Sequence, residues 1–214
     1  MNRKSVYLLI LFSVFLLFIG GYELMVENDE LFPESPSILT YFPVYPDMSY
    51  KFAGEGMEYA AFNRRVIHKN EDTFVQIHDE TTGTTMARIF RLDSEQISLV
   101  YQEPEFYTDE NLLEDIDELE LTEIETILKA PLQEGATWET GGRRREIIAV
   151  DEVLETEAGK FRDVIKIKAV RIDDEDGFTT YEYYARNIGL ILQESITEDD
   201  YKITSELESF GMQE

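Results

Sequence analysis

The stretch KFRDVIKIKAVRI, residues 160–172, is where the fold is most plainly written. Ile165, Ile167 and Ala169 alternate with Lys166, Lys168 and Val170. A period of two puts the first set on an apolar face and the second on a largely wet one, as in an antiparallel sheet covered on one side. Working outward, the acidic turn Asp173–Gly177 leads to strands at Phe178–Arg186 and Leu190–Ser195, broken by Asn187-Ile188-Gly189, and then to Tyr201–Phe210. Upstream, Arg143–Val150 meets Thr137–Thr140 across Gly141-Gly142, two residues that supply the positive φ angles of a tight hairpin turn. Ile124–Leu128 is a further short strand. Before it, aromatic and β-branched runs at Met57–Lys69, Thr73–Glu80, Thr84–Leu92 and Gln96–Tyr101 read as an up-and-down meander. The expectation is one all-β, mainly antiparallel domain over residues 45–214, with about ten strands in a single strongly curved sheet or open barrel. So many twisted strands tend to curl or split into two layers.

One segment departs from this style. From Glu103 to Glu125, both included, there are eleven acids and no lysine or arginine. Leu112, Ile116 and Leu119 fall at helical spacing within it, and Thr108 or Asp109 could cap a helix. A short amphipathic helix is expected here, anchored as a solvated connector by those three side chains.

The N-terminus carries a different message. Arg3 and Lys4 precede an uncharged run from Val6 to Tyr22. Seventeen helical residues rise about 25 Å, a little less than the roughly 30 Å hydrocarbon core. Phe18 and Ile19, two positions before Gly20 and Gly21, are poor residues for signal cleavage. The basic pair keeps the N-terminus inside. The expected layout is a cytoplasmic N-terminus (1–5), a transmembrane anchor or signal segment (6–22), an extracytoplasmic linker (23–44) and the β domain (45–214). The domain lies outside the cell membrane, on a single-pass anchor or secreted if the segment is cleaved. With no cysteine in the chain, attachment through a lipidated cysteine is excluded, and no disulfide holds the fold.

Charge and residue counts narrow the function. The chain carries a net charge of −26, which repels nucleic acid, so no nucleic-acid partner is expected. Cysteine catalysis is impossible. His68 and His78 are the only histidines; a hairpin centred near Glu71 sets Arg64, not His68, opposite His78, so a shared metal is not expected. The HExxH, GxSxG, GxxxxGK[ST] and GxGxxG patterns are absent, and Gly54-Glu55-Gly56 reads as a strand bend. The acidic turn is not an EF-hand, since Ile172 and Tyr183 stand where that loop needs its first and last ligands. Carboxylate pairs are too abundant among 45 acids to single one out. No catalytic, cofactor-binding or metal-binding residue is named, and no enzyme activity or cofactor is expected.

Two clusters remain. On a strand, Arg143-Arg144-Arg145 points two guanidiniums one way and one the other. Neighbouring acids could pair them, or an anion or partner could. Tyr181, Tyr183 and Tyr184 read as core and cross-strand packing more than as a ligand cage.

Four stretches carry a family likeness: YFPVYPDMSYKFAGEGMEYAAFNRRV (41–66), ILKAPLQEGATWE (127–139), EAGKFRDVIKIKAV (157–170) and YEYYARNIGLILQES (181–195). Together they resemble uncharacterised extracytoplasmic β domains of Gram-positive bacteria, found as lipoproteins, anchored proteins or attached to copper-amine-oxidase-N-like stalk domains. The resemblance implies an envelope-facing β domain and no catalysis; two histidines cannot supply the oxidase copper site. The expected function is thus a membrane-tethered, non-catalytic extracytoplasmic module that contacts an envelope protein or cell-wall component. The alternative is a carrier holding a lipid or other apolar ligand in a curved-sheet cavity.

Overall fold

The computed structural model describes residues 37–71, 73–173 and 177–212. The expected cytoplasmic N-terminus, the anchor or signal segment 6–22 and the linker up to residue 36 lie outside the described residues. Among the described residues, no helix is long and apolar enough to cross a membrane.

Twelve strands form one sheet: β1 (Met48–Glu55), β2 (Phe62–Asn70), β3 (Phe74–Glu80), β4 (Thr85–Leu92), β5 (Gln96–Glu103), β6 (Glu125–Lys129), β7 (Thr137–Thr140), β8 (Arg143–Thr156), β9 (Gly159–Arg171), β10 (Thr179–Ala185), β11 (Gly189–Ile196) and β12 (Lys202–Met212). The order across the sheet is β6-β5-β4-β3-β2-β1-β12-β11-β10-β9-β8-β7, and every pairing is antiparallel. Each half of the chain is therefore a six-stranded meander, and the first and last strands splice the two together. The Gly141-Gly142 turn between β7 and β8 has φ of 53° and 72°, as its sequence requires. Three register shifts along the β8–β9 pair bend these longest strands.

The sheet curls until its free edges meet. Trp138 Nε1 on β7 donates to the Thr126 carbonyl on β6 at 2.9 Å, and Thr126 N donates to Thr140 Oγ1 at 2.6 Å. Side chains, not a strand ladder, fasten this seam. The result is a nearly closed barrel that leaves little edge for another strand to pair with.

Several expectations change. Twelve strands replace about ten, and β1 was not expected. Met57–Ala61, read as the start of a strand, instead contains a 3₁₀ turn at Glu58–Ala60. That turn folds over Gly54, where a Cβ atom would sit 2.0 Å from Ala61 N; only glycine admits the approach. Ile38, Tyr41 and Phe42, in the stretch expected as linker, are buried in the main core, with Phe42 against Phe90 at 5.1 Å between ring centroids.

The helix expected between Glu103 and Glu125 is also corrected, since only a single 3₁₀ turn, Ile116–Glu118, forms there. Glu110–Glu114 and Glu114–Glu118 would be like-charged pairs one helical turn apart, and a helix this short barely nucleates in water. The segment lies instead against the outer face of β3–β5. Leu113 is buried with Ile89 and Val100, and Leu112, Ile116 and Leu119 pack around them, so their anchoring role stands without the helix. Gln76 secures the segment by accepting from Leu112 N and donating to the Glu110 carbonyl, both at 2.9 Å.

Candidate functional site in the barrel interior

Residues directly opposite on neighbouring antiparallel strands share a face. Register therefore sets what fills the barrel. Arg64 on β2 lies between Tyr50 on β1 and Asp79 on β3, and Ile77 lies opposite Arg88 on β4. On the other side, Arg145 on β8 stands between Trp138 and Ala169, and Glu182 on β10 stands between Ile167 and Gln193. All these side chains turn inward, so arginines and carboxylates are interleaved with the aliphatic core.

They assemble into two clusters. In the first, Arg64 grips Asp79 through two donors, Nε at 2.7 Å and Nη2 at 2.9 Å, and Arg88 Nη1 donates to the same carboxylate. Such a forked contact is among the strongest charge-assisted geometries. Burial alone would raise the Asp79 pKa, but the two guanidiniums outweigh it and hold the carboxyl below its ordinary range.

The second cluster centres on Arg145, 1% exposed. Its Nη1 donates to Glu182 Oε2 at 2.8 Å and to the Ile127 carbonyl at 3.2 Å, and its Nη2 donates to Glu125 Oε1 at 2.8 Å. Tyr184 completes the group by donating to Glu182 Oε2 at 2.9 Å. Burial would raise the Glu182 pKa as well; Arg145 and the hydrogen bonds bring it down. Tyr184 is pushed well up, first by burial and then by the Glu182 charge. Arg145 has an architectural task besides. From β8 it reaches Glu125 and Ile127 on β6, on the far side of the seam, so this ion cluster helps close the barrel.

Two cavities run beside these clusters. One, of about 360 Å³, is lined by Arg64, Arg88, Arg145, Glu125 and Glu182 among others. The second, of about 500 Å³, lies toward the rim where β1 ends and β12 begins, among Met57, Tyr59, Arg143, Arg171, Phe178 and Thr180. Arg143 and Gln193 stand in the walls of both.

Among residues singled out from sequence, the arginine triplet divides as its alternation requires. Arg143 and Arg145 face inward, and Arg144 pairs on the outside with Glu139 at 2.8 Å. Of the tyrosines, Tyr184 is inside. Tyr181 and Tyr183 lie outside, flanking the Lys166 ammonium at 4.8 and 5.0 Å from their ring centres.

The histidines stay apart. A register shift between Val66 and His68 sets Arg65, one residue from the expected Arg64, opposite His78, and places His68 opposite Gln76. Gln76 Nε2 donates to the Glu110 carbonyl, so its amide also donates to His78 Nε2 at 2.9 Å. His78 is fully buried on the outer face under the connector, and burial, then Arg65, lowers its pKa. Among the described residues, no three histidine, aspartate or glutamate side chains are placed to hold a metal ion.

Asp79, Arg88 and Glu182 escaped the sequence reading. For Glu182 a signal existed: it falls two residues before Tyr184 on one strand face, an acid in phase with an aromatic core position. Arg64 and Asp79 become partners only through the β2–β3 register.

No family model matches the chain, and no curated protein is significantly similar. Among solved structures, the chain is similar to a candidate exported protein with a YmcC-like fold from Bacteroides fragilis (14% identity, TM-score 0.47, covering 79% of this chain and 97% of the other). It is also similar to a candidate lipoprotein from Parabacteroides distasonis (13% identity, TM-score 0.45, 80% and 98% covered). At these scores neither likeness bears on what the chain does.

Proposed function

We propose that the domain is a non-catalytic, extracytoplasmic binding module, tethered at the membrane through residues 6–22, and that its binding site is the barrel interior. The observation that carries this reading is the pair of cavities, about 360 and 500 Å³, with Arg143 and Gln193 common to their walls. Internal volumes of this order suit a small molecule. The basic leader followed by an uncharged run supports export, and the likeness to extracytoplasmic domains of Gram-positive bacteria fits the same location.

The absence of catalysis has a physical argument. Asp79 and Glu182 face the interior, yet arginines hold both ionised well below neutral pH. A general acid or base at neutral pH needs a pKa displaced the other way. The envelope protein or cell-wall component expected from sequence becomes, on this reading, the source of the ligand. A purely apolar ligand fits less well. A cavity lined mainly by apolar side chains, between Phe42, Phe52, Val66 and Leu190, holds about 20 Å³, room for a single water and not an acyl chain.

Native mass spectrometry of the full chain tests the proposal. A small molecule should accompany the wild-type protein and be lost from Gln193→Trp, whose indole fills the shared wall. A bare wild-type mass, with an envelope protein retained equally by both forms, would move the site to the outer surface.

A further inference from the structure

We infer that the interior cavity of about 360 Å³ takes a ligand with a single carboxylate on an apolar body, the carboxylate seated against Arg88; the inference rests on the reading of the interior as a binding site. Arg88 on β4 stands in the wall of this cavity. Its directly opposed neighbours are Ile77 on β3 and Gln102 on β5, so neither adjacent strand sets an acid across from it. The carboxylate it does reach, Asp79, already accepts two hydrogen bonds from Arg64 and takes one more from Arg88 Nη1. Arg88 Nε is buried with no acceptor among the described residues. A covered donor in that condition is costly and calls for an explanation. The side chain as a whole is still 30% exposed, so a ligand in the cavity can reach it.

The charges around the cavity point the same way. Arg143 and Arg145 are matched by Glu125 and Glu182: Glu125 Oε1 lies 2.8 Å from Arg145 and 3.9 Å from Arg143, and Glu182 accepts from Arg145 at 2.8 Å. Among the described residues, Arg64 and Arg88 share one carboxylate, Asp79. These groups therefore carry one positive charge more than negative, in a chain whose net charge is −26. A guanidinium does not shed its proton in a protein, so the surplus persists until an anion meets it. A monocarboxylate cancels the surplus and matches the guanidinium fork. A phosphate monoester carries roughly two negative charges at about pH 8 and would leave one uncompensated beside Glu125 and Glu182. Elsewhere Phe42, Phe90, Leu99, Ile124 and Leu190 line the cavity, an apolar wall for a ring or short chain.

Calorimetric titration of the full chain in a non-ionic detergent at about pH 8, where a phosphate monoester is close to a dianion, is the test. The probes are phenylacetate, phenyl phosphate and the neutral benzyl alcohol. Phenylacetate should bind saturably, and each of the other two at least tenfold more weakly. Its binding should fall tenfold or more in Arg88→Gln, which leaves Asp79 gripped by Arg64, and by less in Arg88→Lys, which keeps the charge. Should Arg88→Gln fail to fold, the ranking of the three probes on the wild type decides. Benzyl alcohol or phenyl phosphate binding as tightly as phenylacetate would overturn the inference while leaving the interior as a binding site. Undiminished phenylacetate binding in folded Arg88→Gln would do the same. So would silence from all three probes if a native small molecule is still lost on Gln193→Trp. Silence together with unchanged retention in Gln193→Trp would remove both.

Discussion

Toward the rim where β3 and β5 begin and β4 and β6 end, the barrel is filled by Val75, Leu92, Ile97 and Leu128, all of them buried aliphatic side chains. Toward the opposite rim, the same sheet encloses Arg64, Asp79, Arg88, Glu125, Arg143 and Arg145, with cavities beside them. The first region stabilises the fold directly, since burying one such aliphatic side chain contributes roughly 1.5–3 kcal/mol. The second does so poorly. Removing charges from water costs about what their attraction returns, so a buried ion cluster is weak evidence for stability. A chain selected only to fold would extend the aliphatic filling to both rims. Retaining arginines at one of them, with space alongside, points to a task other than folding.

Breaking the charged region from one side should have the largest effect. Arg145→Ala leaves Glu182 buried without its cation and frees the seam contacts to β6, so a loss of about 3–5 kcal/mol is expected in urea unfolding. Replacing both partners, Arg145→Met with Glu182→Leu, should recover at least half of that loss. If the double variant is no more stable than Arg145→Ala, the charged end contributes to folding on the same terms as the apolar end.

At the apolar end no partner change can compensate. Leu128→Ala should cost about 2–5 kcal/mol through lost burial and the cavity left behind.

Acid should separate the regions again. Asp79 and Glu182 have pKa values held below their ordinary 3.8 and 4.5, because the neighbouring arginines outweigh the effect of burial. The unfolded chain then binds more protons than the folded one as pH falls through that range. Their contribution is complete above about pH 5 and is lost progressively as pH drops through the folded values. Asp79→Asn and Glu182→Gln should flatten the acid limb of a stability-versus-pH curve, whereas Leu128→Ala should lower the whole curve without changing its slope. Similar slopes in all three would remove the distinction.

The smallest effect concerns the seam, where the barrel closes. Trp138→Phe keeps most of the buried ring and loses one hydrogen bond to the Thr126 carbonyl, so about 1 kcal/mol should be lost in thermal or urea unfolding. A negligible change would leave seam closure to Arg145 and the Thr140 hydroxyl.

The strands were legible where local pattern and turn chemistry agreed. Strand β9 follows its alternation, and Gly141-Gly142 makes the turn it should. The reading failed where a distant contact overruled local preference. Strand β1 was missed although Tyr50 and Phe52 alternate with exposed Lys51; Gly54-Glu55-Gly56 read only as a bend, and Gly54 is the residue that lets Glu58–Ala60 fold back. The acidic connector showed helical spacing, but a bed of Phe74, Ile89 and Val100 on the sheet's outer face accepts its leucines without a helix. Of the candidate site, the sequence offered only the alternation of the arginine triplet, with pairing and anion contact as open readings. Arg145 and Arg144 took the first.

Taken alone, the amino-acid order determined an acidic, cysteine-free body of antiparallel strands behind an oily leader, because alternation, turn residues and charge are local properties. Only the tertiary structure decided that the strands would close on themselves and bring Arg64 to Asp79, Arg145 to Glu182 and Arg143 beside Arg171. Those meetings depend on register and closure, and the widest of the three, Arg145 with Glu182, spans 37 positions in the chain. No local pattern encodes a partner at such a distance.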